Sequence, residues 1–198
     1  AKTSGQTLLY DTSGRLIFSG GITFARGHEG DNAGSRIIMA LFDGLTEYDP
    51  QTGQPIPALS DSWEPNEDNS AFTFHLRAAT WSDGSPITAE DFVYSIRRGL
   101  APALASRTAY MAYDITNAQA YNEGAVFARD RATGAFVMDP SHPAVRLTLP
   151  GDETARSKAL ASEPMAAARN KEYVQLLAED VGVEAIDART LRFHLRQP

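Results

Sequence analysis

The 198-residue sequence contains no cysteine, no long apolar run and no excess of positive charge. Without cysteine, the chain can form neither a disulfide framework nor a thiolate metal site. Its longest apolar runs, such as residues 37–42, are far shorter than the roughly 20 residues that span a bilayer. The sequence has 18 Lys and Arg residues against 25 Asp and Glu, a net charge of −7. A protein that binds a phosphate backbone needs a basic face, so we expect no nucleic-acid partner.

The two ends of the sequence also lack expected features. The chain begins at Ala1 without an initiator Met or the apolar segment of a signal peptide, so we expect that any leader has been removed. Near the other end, Leu191, Phe193 and Leu195 alternate as the apolar face of a strand. Because nothing follows Pro198 to cover that face, we expect the natural chain to continue.

The sequence does contain the patterns of short strands separated by turns. Alternation of apolar and polar residues, bounded by Gly, Pro and Asp, is typical of half-buried strands. Asp49 to Gly53 has the composition of a tight turn. The predicted strands lie at residues 8–10, 16–18, 22–24, 72–77, 145–149 and, as a closing hairpin, 181–195.

Helices are predicted between these strands. Apolar residues at helical spacing follow Ser35 and Thr88, and both residues can act as N-caps. The stripe expected to be buried after Thr88 consists of Phe92, Val93, Ile96 and Leu100. Residues 102–122 have a looser helical pattern. Residues 153–178 are rich in Ala, Glu, Lys and Arg, which favour helix, and we expect an interruption near Pro164. The predicted fold class is therefore mixed α/β.

Residues that would support catalysis or bind a metal are not grouped in the sequence. The glycines at 27, 30 and 34 match neither a dinucleotide fingerprint nor a phosphate-binding loop, so this segment is a plain loop or one that faces a ligand. No two of the four histidines have a spacing that brings two imidazoles onto one metal ion. No G-x-S-x-G elbow is present, and nothing pairs a nucleophile with a base. We expect no metal, no cofactor and no enzymatic activity.

Several aromatic and histidine side chains admit two interpretations. His75 and His194 occur in two similar F-H-L-R strings, where alternation places them on the polar faces of strands. The tryptophans at 63 and 81 are expected to pack in the core. Tyr110 and Tyr113 are three residues apart and would share one face of a helix. They either pack in the core or stack against a ligand, because Tyr offers a flat apolar face and a hydroxyl.

Five segments in order resemble the extracellular solute-binding proteins of the oligopeptide and dipeptide class, family 5. In that family the corresponding strings are "LFEGLTEYD", "PALAESWE", "YTFHLR", "WSDGTPVTAEDFVYS" and "VGVKALDDYTL". Here they occupy residues 38–49, 57–64, 72–77, 81–95 and 181–191. Five ordered motifs are a far more specific match than any one of them.

The resemblance implies the N-terminal part of a periplasmic-binding-protein type II fold. It assigns residues 1–45 to a first lobe, residues 46–178 to a small extra domain with an insert at 124–178, and residues 179–198 to a return into the first lobe. The facing lobe lies in polypeptide that is not present, so we expect little or no ligand affinity from these 198 residues alone.

The same resemblance implies a function. A member of this family captures a solute, typically a peptide, and delivers it to the membrane subunits of an ABC permease. Its place is the periplasm or the outer face of the membrane, where a lipid anchor would hold it. Two alternatives remain. The first is an interaction module that has lost ligand binding, which the absence of the family's "P-x-x-L-D-P" segment before the first helix suggests. The second is a hydrolase on a similar scaffold.

Two sets of candidate ligand-binding residues follow from the resemblance. Glu29, Gly30 and Asp31 fall near the position where relatives line the binding cleft before the first helix. Tyr110 lies in the string R-T-A-Y-M-A-Y, which resembles the "SPYASY" string whose tyrosine reaches the ligand in a relative.

Overall fold

The computed structural model describes residues 6–10, 16–21, 44–49, 51–143 and 145–196. The chain divides into two compact units, residues 1–59 and residues 60–198. In the first unit, β1 (Gln6–Tyr10) pairs antiparallel with β2 (Leu16–Gly21), which confirms the first two predicted strands. The strand predicted at 22–24 and the helix predicted after Ser35 lie outside the described residues.

A hairpin of β3 (Thr46–Tyr48) and β4 (Pro55–Pro57) completes the described part of the first unit. The predicted turn between the strands is confirmed. Asp49 accepts hydrogen bonds from the backbone N–H of Gln51 at 2.8 Å and the hydroxyl of Thr52 at 2.9 Å. Gly53 has a φ of 67° and donates to the Asp49 carbonyl. The Gln51 N–H, followed by the Thr52 hydroxyl, lowers the pKa of Asp49.

The second unit contains the remaining elements. Its helices and strands, in chain order, are β5 (Ser60–Pro65), β6 (Ala71–Leu76), α1 (Ala89–Leu100), α2 (Ala118–Asn122), β7 (Val126–Arg129), β8 (Thr148–Leu149), α3 (Glu153–Leu160), β9 (Glu172–Gln175), β10 (Val183–Asp187) and β11 (Thr190–His194). Three short 3-10 helices, Pro102–Leu104, Ala109–Ala112 and Glu163–Ala168, lie between them, and a fourth, Ala178–Asp180, precedes β10.

The main sheet is antiparallel and has the strand order β10-β11-β6-β5. One face is apolar: Phe74 lies opposite both Trp63 and Leu191. Helix α1 packs against β10 and β11 on the buried Val93 and Leu100, whereas Phe92 and Ile96 of the predicted stripe are half-buried. The predicted closing hairpin is confirmed as β10 and β11. It lies in one sheet with β5 and β6, and the assignment of residues 179–198 to another lobe stays a prediction.

The start of α1 follows the predicted capping pattern. The backbone N–H and the hydroxyl of Thr88 both donate to Oδ2 of Asp91, at 2.7 and 3.1 Å. Glu90 and Asp91 lie in the first turn, while Arg97 and Arg98 lie in the last. This charge order complements the helix dipole at both ends. Local sequence therefore determines where this helix begins.

A second, smaller sheet has the order β8-β7-β9 and its own core. The buried members of that core are Val126, Ala128, Leu147, Leu149 and Ala168. The prediction of helix over residues 153–178, interrupted near Pro164, is confirmed for α3 and for the 3-10 helix Glu163–Ala168, but it was wrong for residues 172–175, which form β9. Tyr173 and Val174 of β9 pair with Ala128 and Phe127 of β7, so packing of aromatic and β-branched residues on the sheet overrides local helix propensity.

Two ion pairs hold one end of the β7–β9 ladder. Arg129 donates to Glu172 through Nε at 3.1 Å and Nη2 at 2.9 Å. Next along the chain, Nζ of Lys171 lies 2.5 Å from Oδ2 of Asp130. Asp130 also accepts from the backbone N–H groups of Ala132 and Thr133 in the following turn. The Lys171 ammonium, followed by these turn donors, holds the pKa of Asp130 well below its ordinary value.

We predict that Asp130→Asn makes the fold less stable at pH 7 and that this difference shrinks in acid. The lowered pKa means that the folded state favours the ionised carboxylate. Its contribution is complete above the unfolded value, about 3.9, and declines as the pH falls from there towards the folded value. Urea denaturation of both proteins at pH 7, 4 and 3 measures the difference. The control is Asp61→Asn, at an exposed site in β5, which should not show this pH-dependent loss of stability. A stability difference for Asp130→Asn that stays constant down to pH 3, or the same difference in the control, would contradict the role given to the Asp130 carboxylate.

Two glycines allow backbone segments to cross closely. A Cβ on Gly151 would lie 2.0 Å from the carbonyl oxygen of Gly124. A Cβ on Gly182 would lie 2.9 Å from the His194 carbonyl oxygen and from Cβ of Thr116. The Gly182 N–H donates to Thr116, the His194 N–H to Gly182, and the Thr116 N–H to His194. These crossings connect residues 113–125, which contain α2 and are called the α2 region below, to both sheets.

We predict that Gly151→Ala lowers the free energy of unfolding by about 1–3 kcal/mol, since the methyl group forces the Gly124 backbone to move. Gly99→Ala is the matched control, because a Cβ there meets nothing within 4 Å and the residue lies inside α1. The free energy of unfolding of this control variant should rise by about 0.5–1 kcal/mol, because Ala has a higher helix propensity than Gly. Urea denaturation at neutral pH measures both; equal stability of Gly151→Ala and the parent protein would show that this crossing is not tight.

Candidate functional site

Of the residues predicted to contact ligand, the structure describes Tyr110. Glu29, Gly30 and Asp31 lie outside the described residues. Tyr110 belongs to the 3-10 helix Ala109–Ala112, and its side chain is 66% exposed. The neighbouring Met111 is 73% exposed. Two large apolar side chains therefore project from one short turn into solvent.

The backbone beneath Tyr110 is anchored from both sides. Ala109 is buried, and Ile115, just after the turn, is buried as well. The Met111 N–H donates to the Thr108 carbonyl and the Tyr113 N–H to the Tyr110 carbonyl. The turn is thus held by small and branched residues, which leaves the exposed Tyr110 ring available for contact with another molecule.

Tyr113 has a different environment from Tyr110. Its side chain is half-buried, and its hydroxyl donates to Oδ1 of Asn122 at 2.7 Å. Nδ2 of Asn122 in turn donates to the carbonyl of Leu100 at the end of α1, at 2.8 Å. Tyr113 therefore joins α2 to α1. Of the two interpretations, packing therefore applies to Tyr113. Tyr110 is exposed and stays a candidate for contact with a ligand.

The polar face of the main sheet carries the two predicted surface histidines. Nε2 of His75 lies 2.8 Å from Oε1 of Glu64, and Nε2 of His194 lies 2.9 Å from Oε1 of Glu184. Both histidines are exposed by nearly half of their side-chain surface, which confirms the prediction of solvated strand faces. Among the described side chains, no group of three or more His, Asp or Glu residues converges as a metal site.

The two tryptophans differ from each other. Trp63 stacks on Phe74 with ring centroids 6.3 Å apart but is only half-buried, so the prediction of core packing holds in part for this residue. Trp81 begins the turn before α1 and leaves 48% of its surface exposed, so the prediction of core packing was wrong for this residue. The turn itself closes locally, since the Trp81 N–H donates to Ser85 and the Gly84 N–H donates to Trp81.

A cavity of about 380 Å³ lies between the α2 region and residues 139–152, which contain β8 and are called the β8 loop below. Buried Ile115, Ala125 and Leu149 contribute apolar walls. Exposed Glu123, Arg146, Asp152 and Arg196 contribute charges of both signs. Tyr110 is not among the lining residues, while Tyr113 is.

The loop that forms one side of the cavity is braced from outside. Nη1 of Arg156 donates to the carbonyls of Pro150 and Gly151, at 3.0 and 2.7 Å. The Arg156 guanidinium also lies over the ring of Tyr173, 4.8 Å from its centroid. Sequence reasoning missed this cavity because its residues come from three separated segments. The one local signal was Gly151 itself, a glycine beside Pro150 where two backbones meet.

In the described part of the chain, no helix combines the length and apolar character that crossing a membrane requires.

The chain matches known proteins over most of its length. Residues 54–198 match the family model of bacterial extracellular solute-binding proteins, family 5, middle part. A dipeptide-binding protein, DppE of Bacillus subtilis, is 33% identical over 127 residues, which are 63% of this chain and 22% of that protein. The periplasmic oligopeptide-binding protein OppA of Escherichia coli is 48% identical over 81 residues, 40% of this chain and 14% of that protein. The chain thus spans about a fifth or less of the length of these relatives.

Solved structures show the same relationship. The murein tripeptide binding protein MppA of Escherichia coli aligns with a TM-score of 0.51 and 28% identity over 82% of this chain and 22% of its own. A periplasmic oligopeptide-binding protein from Borrelia burgdorferi aligns with a TM-score of 0.52 and 26% identity, over 85% and 24% of the two chains. These alignments confirm the predicted fold class, part of a periplasmic-binding-protein type II fold. By its match over residues 54–198, the chain belongs to family 5 of the bacterial extracellular solute-binding proteins.

Proposed function

We propose that this protein is the solute-binding component of an ABC transporter and that its solute is a peptide. The observation that carries the proposal is the family match over residues 54–198. The two relatives described above, at 33% and 48% identity, are named for the binding of dipeptides and oligopeptides. The exposed Tyr110 adds support from the structure, because an aromatic ring with a hydroxyl suits both the apolar and the polar parts of a peptide.

The peptide would contact the surface formed by Tyr110 and Met111, here called the Tyr110 surface. The ring of Tyr110 supplies apolar area, and its hydroxyl supplies a hydrogen-bond donor and acceptor. The backbone hydrogen bonds of its turn reduce the ordering that binding requires, which favours affinity. Glu29, Gly30 and Asp31 stay proposed ligand contacts of the first unit.

The transport partners and the location are further parts of this proposal. The membrane subunits of an ABC permease would receive the solute, as the family membership suggests. The periplasm or the outer face of the membrane would be the place of capture, since OppA and the murein peptide-binding protein of Escherichia coli are both named as periplasmic. A lipid anchor is an additional expectation for an outer-face location.

We predict that Tyr110→Ala removes most of the weak peptide binding that the 198-residue chain retains. A mixture of tripeptides at millimolar concentration should shift the backbone amide signals of residues 108–112 in an NMR titration. Loss of the ring removes apolar contact area and the hydroxyl together, so these shifts should fall at least severalfold.

The control for this titration is Tyr94→Ala. Tyr94 is an equally exposed tyrosine, at 64%, but it lies on the solvent side of α1 beside Arg98. Its replacement should leave the peptide-induced shifts unchanged. Shifts that are absent from residues 108–112 in the parent chain, or that survive Tyr110→Ala in full, would remove Tyr110 from the ligand-binding surface.

We also predict that these 198 residues bind peptides far more weakly than a complete receptor does. Receptors of this kind enclose the ligand between two lobes, and closure excludes water from both sides of the ligand. The chain spans 14–22% of the relatives named above, so most of the enclosing surface is not part of it. Titration calorimetry against the same peptides should detect no micromolar binding; a micromolar dissociation constant would refute this prediction.

A further inference from the structure

We propose that the cavity between the α2 region and the β8 loop is a second ligand site, which binds a small zwitterion of dipeptide size with an apolar side chain. The cavity has a volume of about 380 Å³, within the range of small-molecule sites in proteins. The proposal does not depend on peptide binding at the Tyr110 surface, because Tyr110 does not line this cavity.

The positive end of the site is Arg196. Its Nη1 donates to Oε1 of Gln119 at 3.3 Å, and no carboxylate within residues 51–143 or 145–196 pairs with it. The backbone positions this side chain, because the Arg196 N–H donates to the Asp114 carbonyl and Leu195 bridges to Ile115. A guanidinium with spare donors beside a cavity is suited to a carboxylate.

The negative end is Glu123, on the other side of the same glutamine. Nε2 of Gln119 donates to Oε1 of Glu123 at 2.8 Å, which leaves the second carboxylate oxygen with no protein donor in the described part of the chain. A single amide and two hydrogen bonds, 3.3 and 2.8 Å long, link the guanidinium to the carboxylate. They limit the separation of the two charged groups to roughly the span of two residues of extended peptide, about 7 Å.

Three further charged side chains line the cavity, and each has a protein partner. Nη1 of Arg146 lies 3.3 Å from Oδ1 of Asp180, and its guanidinium stacks 4.2 Å from the centroid of Phe136. Oδ1 of Asp152 caps α3 through the Ala155 N–H, and Oδ1 of Asp139 accepts from the Ser141 N–H. Arg196 and Glu123 differ in that a single side chain, Gln119, links the two, so their opposite charges define the ligand. A molecule with an ammonium and a carboxylate matches them best.

The apolar walls of the cavity favour a ligand with an apolar side chain. Ile115, Ala125 and Leu149 are all buried lining residues. The close crossing of Gly124 and Gly151 fixes the distance between the two sides of the cavity. A leucine-sized side chain would cover apolar surface there and stabilise the complex through burial.

Glycyl-leucine is the first probe. We expect it to shift the backbone amide signals of Thr116, Gln119 and Gly151 saturably when it is titrated into the isotope-labelled 198-residue chain. N-acetyl-glycyl-leucine lacks the ammonium, and glycyl-leucinamide lacks the carboxylate. Each should bind about tenfold more weakly, because each loses one charge-assisted hydrogen bond. Equal binding of all three compounds, or no shifts at these residues, would overturn the proposal.

Two charge-removing variants test the named residues. Arg196→Gln and Glu123→Gln should each weaken glycyl-leucine binding about tenfold. Arg131→Gln is the matched control, because Arg131 is exposed in the turn after β7 and does not line the cavity. Undiminished binding to both cavity variants would overturn the proposal. Because the comparison of the three compounds uses the unaltered chain, it remains decisive if a variant fails to fold.

Tyr110→Ala separates this site from the proposed peptide-binding surface. The variant should leave the glycyl-leucine shifts at Thr116, Gln119 and Gly151 unchanged, because Tyr110 is not a lining residue. If those shifts disappear in this variant, glycyl-leucine is binding at the Tyr110 surface, and the cavity proposal is wrong. If tripeptide binding at residues 108–112 is absent while the cavity shifts persist, the proposed peptide surface is wrong and the cavity site stands.

Discussion

The second unit depends on the antiparallel pairing of β6 with β11. Residues 71–76 and residues 190–194 are far apart in sequence, yet they are adjacent strands of one sheet. Their pairing closes a loop that contains α1, the Tyr110 turn, the small sheet and all of the cavity lining except Arg196. Closing a long loop carries an entropy cost that rises only slowly with length, so a large insertion within it is tolerated. The buried apolar face around Leu191 offsets that cost.

The elements that the sequence predicts well are those with a complete local pattern. Phe72, Phe74 and Leu76 alternate as in a half-buried strand, and β6 forms there. The Thr88 start of α1 needs only a capping residue and Asp91 three positions later, which are both local. By contrast, β9 could not be predicted from composition. Its strand conformation depends on pairing with β7, some fifty residues earlier in the chain.

The candidate site shows the same limit. Family resemblance identified Tyr110, but spacing alone grouped it with Tyr113. The 3-10 turn ends at Ala112, and the Tyr113 hydroxyl is held by Asn122, a contact nine residues away that no periodicity describes. The cavity is still less accessible to sequence reasoning, because Glu123, Gly151 and Arg196 meet only after both sheets have formed. Local sequence patterns therefore predict helices and strands, whereas a site such as this cavity depends on pairing between strands that are distant in sequence.

The different environments of Tyr110 and Tyr113 determine how substitutions in this turn are to be interpreted. Removing Tyr113 breaks the hydrogen bond to Asn122, and through Asn122 it disturbs the contact with the end of α1. A loss of binding in such a variant would therefore combine weakened structure with altered contact. Tyr110 differs, since it is 66% exposed and its hydroxyl makes no hydrogen bond to the described residues, while buried Ala109 anchors the turn. Tyr110 is consequently the residue at which an effect on binding can be separated from an effect on folding.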